Sequence, residues 1–87
     1  MSLVSTSLVG YQLWNQGEWA LAIPYLDGET LPVAALDAQR RLALASSLMH
    51  VDDLDRAGEI YQHLRADPSR RVAALAEEGL LRVAWLR

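Results

Sequence analysis

His50 and His63 are the only histidines in the chain, and there is no cysteine, so any metal chemistry must start from them. His50 is followed by Asp52 and Asp53, which bring a ring nitrogen and carboxylate oxygens together as ligand types for a cation. This His-x-Asp-Asp cluster is loose and falls at a helix end. His63 lies late in the next, antiparallel helix, which puts the two imidazoles at opposite ends of a hairpin, too far apart to share an ion. A histidine near a helix C-terminus also has a plainer role, as the complement of the helix dipole. Ser46 and Ser47 precede His50, and Ser46 is one helical turn away, the spacing of a nucleophile and its base. No acid on that face is placed to orient the base, and no glycine-rich turn offers an oxyanion hole. Asp52-Asp53 and Glu77-Glu78 are adjacent pairs, so each points in two directions on a helix and neither forms a facing acid–base couple. The glycines stand singly, and none belongs to a phosphate loop. The sequence therefore predicts no catalytic residue, no metal site and no cofactor; the protein is expected not to be an enzyme.

All eight basic residues are arginine, and two doublets stand out, Arg40-Arg41 and Arg70-Arg71. Each falls in the first half of a helix, the unfavourable end for a cation. That placement points to pairing with Asp37, Asp67, Glu77 or Glu78, or to contact with a partner. Residues 1–39 carry four acids and no base, whereas residues 40–87 carry eight arginines and seven acids. The net charge of −3 argues against general nucleic-acid binding.

The elements that must position these groups are helices. The chain has 87 residues, of which 52% are hydrophobic, enough for one core and too few for two. Alanine and leucine dominate, and no run alternates apolar and polar residues long enough to make a strand. No stretch approaches the roughly 20 apolar residues of a membrane span, and none has the features of a secretory signal. With cysteine absent, a cytoplasmic location is expected.

Breakers at Gly17, Asp27-Gly28, Pro32, His50 to Asp53 and Asp67-Pro68 divide the chain into five helices. The first covers about 5–16 and the second about 18–27, with Gly28 as a left-handed C-cap and Pro24 as an internal breaker. The third runs from about 32 to 50. It is entered at Thr30 or Leu31 with Pro32 as first helical residue, or else capped by Asp37. The fourth covers about 53–66, and the fifth starts after Pro68 with Ser69 as N-cap.

The first two helical pairs repeat. Val9-Gly10, Leu13, Gly17-Glu18-Trp19, Ala22 and Leu26 recur as Leu44-Ala45, Leu48, Asp52-Asp53-Leu54, Ala57 and Tyr61, every position displaced by 35 residues. Small residues at Gly10, Ala22, Ala45 and Ala57 let the helices of a pair approach closely, and Trp19 and Leu54 plug each hairpin near its turn. This pattern resembles the tetratricopeptide repeat, whose period is about 34 residues. The resemblance covers about residues 3–69. It departs from the family at Thr6 and Arg41, where a large residue is usual, at the missing closing proline before Pro32, and at Asp52 in place of a turn glycine.

The resemblance implies an all-α single domain over residues 1–87, a right-handed stack of antiparallel hairpins. Unit one spans about 3–30, unit two about 31–68, and a capping fifth helix about 69–87. It also implies a groove lined by the first helix of each unit, at Tyr11, Trp14, Asn15, Gln39, Leu42, Ser46, Met49 and His50, although Trp14 also fits a core position. The positions of the family's carboxylate clamp hold Ser7, Tyr11, Leu42 and Ser46 here, which argues against chaperone C-terminal tails as ligands. In the last helix Val72, Leu75, Ala76, Gly79, Leu80, Val83 and Leu86 form one stripe, and Leu81 and Trp85 lie off it. A terminal helix should be polar outside, so Leu81 and Trp85 are expected to serve self-association, with a homodimer or larger assembly formed through residues 75–87. The expected function is a non-enzymatic interaction module or chaperone-like scaffold that binds a peptide or helix of a partner protein. The alternative is a homo-oligomeric assembly subunit with no peptide ligand. Nucleic acid and membrane insertion are not expected.

Overall fold

The chain folds as five helices, α1 (Leu3–Asn15), α2 (Trp19–Leu26), α3 (Ala34–His50), α4 (Leu54–Leu64) and α5 (Arg70–Leu86). This computed structural model describes residues 3–28 and 30–87, with side chains from Thr6 onward, and no strand occurs among the described residues.

The 35-residue displacement is reproduced in the backbone of the turns. Gly17 and Asp52, one displacement apart, are the two described residues with positive φ, at 77° and 69°. Glu18 N–H bonds the Leu13 carbonyl at 2.9 Å, and Asp53 N–H bonds that of Leu48 at 2.8 Å. Gly17 N–H bonds Trp14 O at 3.0 Å and Asp52 N–H bonds Met49 O at 3.1 Å. Both turns are therefore Schellman motifs, in which one left-handed residue lets the last carbonyls of a helix find donors. With so short a link, α1 must fold back on α2 and α3 on α4. The same sense holds for α4 and α5: Asp55 meets Arg87, Gly58 lies by Val83, and Arg65 meets Glu77.

Close approach depends on small side chains. Ala22, Ala45, Ala57 and Ala76 are fully buried. A methyl group added to Gly10 would sit 2.7 Å from the Leu26 side chain and 3.2 Å from Tyr25, so α1 and α2 touch where the sequence predicts. Gly79 is pressed against the ring of Tyr61 in the same way, which locks α5 onto α4. Leu26 and Leu48 fill the centre of the core, each worth roughly 1.5–3 kcal/mol of burial. α3 packs on all four other helices, and the row α1, α3, α5 is held by direct contacts along it.

Two helix boundaries differ from expectation, and one buried ion pair accounts for both. α2 ends at Leu26, and Gly28 is not left-handed. The Leu26 carbonyl accepts both the Gly28 N–H at 3.1 Å and the Arg40 guanidinium, with Nη1 donating at 2.7 Å. α3 starts at Ala34 after an extended Val33, so neither Pro32 nor Asp37 opens it. Asp37 sits inside the first turn, where its carboxylate accepts the Leu31 N–H at 2.9 Å and pairs with Arg40 at 2.9 Å. The α2–α3 link is therefore stapled from within, in addition to the local Asp27 and Gly28 N–H bonds at the end of α2. Ser69 caps α5 as the sequence predicts, accepting Val72 N–H, and Asp53, which the sequence reading placed inside α4, caps it by accepting Arg56 N–H.

Candidate functional site

An open groove of about 720 Å³ runs across α1, α3 and α5. Its floor is the α3 face of Ala38, Leu42, Ser46 and Met49, four positions that helical spacing places in line. Tyr11 and Trp14 of α1 make one wall, and Val72 and Leu75 of α5 make the other. Trp14 is fixed in place by Ser46, whose hydroxyl accepts the indole N–H at 3.1 Å. The ring therefore presents its apolar face with its one polar atom already satisfied.

Charges sit on the α5 side and balance. Asp67 and Glu78 are matched by Arg71 and Arg82. Glu78 and Arg82 pair across one helical turn at 2.8 Å, while Arg71 makes no ion pair among the described residues. Beneath the α1 wall lies the Asp37–Arg40 pair. Burial pushes the Tyr11 phenol up to about 12, with Arg40 opposing and Asp37 reinforcing the shift. The Tyr11 hydroxyl is buried with no hydrogen-bond partner among the described residues.

Of the eight positions that the resemblance implied, Tyr11, Trp14, Gln39, Leu42, Ser46 and Met49 line this groove. Asn15 and His50 do not. Asn15 is exposed at the last turn of α1. His50 turns toward α2, where its ring stacks on Trp19 with centroids 3.9 Å apart and planes 16° from parallel. Its Nδ1 meets the Ser46 carbonyl at 2.8 Å, so that nitrogen faces backbone and not a serine hydroxyl. Trp19, expected to plug the first hairpin, is only half-buried and serves mainly as the partner of His50. Leu81 and Trp85 lie outside the groove and are exposed by 71% and 88%.

The α5 wall was absent from the expected groove. Carried forward by 35 residues, Gln39, Leu42, Ser46 and Met49 land on Ala74, Glu77, Leu81 and Ala84, none of which lines the cavity. α5 closes the groove with a different face, and the signal available for it was the Val72-Leu75-Gly79 spacing. The arrangement offers a long apolar surface with charged groups along its α5 side, suited to side-chain contact. Among the described residues no three His, Asp or Glu side chains gather as metal ligands, and no helix is long and apolar enough to cross a membrane. Comparison of the chain with protein-family models, with curated proteins and with solved structures finds no match.

Proposed function

We propose that the protein is a non-enzymatic interaction module of tetratricopeptide-like build, a right-handed stack of helical hairpins. Its α1–α3–α5 groove takes an apolar stretch of a partner protein. The carrying observation is the groove itself, with its apolar floor and walls on three separate helices. Its size falls within the roughly 300–1,000 Å³ usual for binding clefts. The soft Met49 side chain and the rigid Trp14 ring are the types that dominate such surfaces. The exposure of Leu81 and Trp85 favours a second role, assembly of the chain with itself, on a surface outside the groove.

The test is selection from a displayed random-peptide library on the wild type, followed by titration of the enriched peptides. Apolar sequences should emerge, and Leu42→Glu should weaken them about 30-fold, the equivalent of one central contact of about 2 kcal/mol. Trp14→Ala should act in the same direction. Failure to enrich any sequence, or equal binding by a folded Leu42→Glu variant, would refute the reading.

A further inference from the structure

The groove has two unlike ends, because the three helices around it run the same way. α2 is antiparallel to α3: His50 at the end of α3 stacks on Trp19 at the start of α2, and Arg40 reaches back to Leu26. The direction therefore alternates at every link, and α1, α3 and α5 are parallel. Ala34, Ala35 and Arg71 line one end, at the starts of α3 and α5, and Trp14 and Met49 line the other. α1 and α5 both pack on α3 and, among the described residues, not on each other. Two interaxial spacings of about 8–10 Å leave up to roughly 20 Å between them, room for a helix about 10–12 Å across. The floor from Ala34 to Met49 is about 22 Å long at the helical rise, four turns of such a helix.

The charges at the two ends differ as well. Of the four charged groups lining the groove, Glu78 and Arg82 satisfy each other at 2.8 Å. Asp67 precedes α5, where its carboxylate accepts the Ser69 N–H at 2.9 Å and complements the positive end of the helix. Arg71 is exposed, makes no ion pair among the described residues, and is opposed by that same helix end. In the turns beyond Trp14 and Met49 stand Glu18, Asp52 and Asp53, which make no ion pair among the described residues either. One end thus holds an uncompensated cation and the other uncompensated acids.

We propose that the occupant of the groove is an amphipathic helix of a partner protein that places an aspartate or glutamate side chain opposite Arg71. The carboxylate pairs with the one groove cation that has no partner within the fold. The small side chains of Ala34, Ala35 and Ala38 leave depth beside Arg71 for a large apolar residue near that acid. A helix laid the other way round would bring its acid toward Glu18, Asp52 and Asp53, which repel it. The charge is a side chain and not a chain terminus, because the groove is an open trough along which the partner chain can continue. This inference rests on the groove being a peptide site, and adds which charge the peptide carries and where.

The probes are the peptides enriched from the library on the wild type, made with amidated C-termini. They should carry an acid toward one end, and replacing it by lysine should weaken binding about fivefold. Arg71→Glu should invert that preference, binding the lysine versions better than the acidic ones. An inversion reports a direct pair, which a general loss of structure cannot imitate. Arg71→Glu puts an acid in the first turn of α5, where it suits the helix, and circular dichroism checks that the variant is folded. Mixing peptide and protein should add helical signal. Four results overturn the proposal and leave the groove a peptide site: no acid among the enriched sequences, equal binding of acidic and lysine versions by the wild type, an unchanged preference in folded Arg71→Glu, or binding only by peptides with a free C-terminal carboxylate. Enrichment of no sequence at all overturns both readings.

Discussion

At the scale of single residues, the polar groups inside this protein serve its architecture, and Asp37 and Arg40 are the clearest case. Their side chains are 11% and 7% exposed, and both make further bonds to the backbone on either side of the α2–α3 link. Removing one partner strands the other. Asp37→Ala should cost about 3–5 kcal/mol, whereas replacing both residues by leucine and methionine should cost far less. Chemical denaturation of the single and double variants measures the difference. Tyr11 makes a second prediction. Burial holds its phenol in the neutral form up to about 12 against an ordinary value of 10.0. The folded state therefore keeps a proton that the unfolded chain gives up between those values, and stability falls as pH rises through that window. Tyr61 is raised by burial as well, so Tyr11→Phe should make the alkaline loss shallower without abolishing it. At neutral pH the same substitution removes a buried hydroxyl that lacks a partner, and it should be neutral or stabilising by up to about 1 kcal/mol. Thermal melts across pH 7–12, the upper limit set by the phenol itself, read both effects.

At the scale of elements, the turns show what a repeat preserves. Gly17 and Asp52 hold the same left-handed position, one without steric cost and one with it. Asp52→Gly should therefore be neutral or stabilising by about 0.5–1 kcal/mol, and Gly17→Ala should destabilise by about 1 kcal/mol. Gly10→Ala tests the crossing. The usual helical gain of about 1 kcal/mol over glycine is set against a methyl group 2.7 Å from Leu26. Overpacking costs about 1–3 kcal/mol, so a net loss is expected in the denaturation midpoint. These positions were legible because helix contacts demand small residues at fixed intervals, and Gly10, Ala22, Ala45 and Ala57 mark those intervals directly. The α2–α3 link was not legible, because a cap supplied by Arg40 from 14 residues away leaves no local signature at Leu26 or Gly28. The groove was legible on α1 and α3, which obey the repeat, and not on α5, which presents another face to it. His50 was misplaced for a related reason: its spacing on α3 fits the groove, but stacking on Trp19 draws the ring to the α2 side.

At the scale of the whole molecule, α3 is the member on which the others depend. It touches α1, α2, α4 and α5, and its centre supplies Leu44, Ala45, Ser47 and Leu48 to the core, each at most 4% exposed. Among the described residues, α1 by contrast packs only on α2 and α3, and α5 only on α3 and α4. Opening either end helix leaves a packed core, whereas opening α3 leaves only the α1–α2 and α4–α5 pairs, with nothing joining one pair to the other. Local opening follows that difference, because amides in elements with few buried contacts exchange through small fluctuations and central ones only through global unfolding. Amide hydrogen exchange in dilute solution should therefore find the slowest protons at Leu44–Leu48, with intermediate protection in α4 and faster exchange in α1 and the last turns of α5. If copies associate through the exposed Leu81 and Trp85, protection at high concentration should rise in α5 around Leu81 and leave α1 unchanged. A profile in which α1 or dilute α5 exchanges as slowly as α3 would show that the ends are held by contacts other than those described.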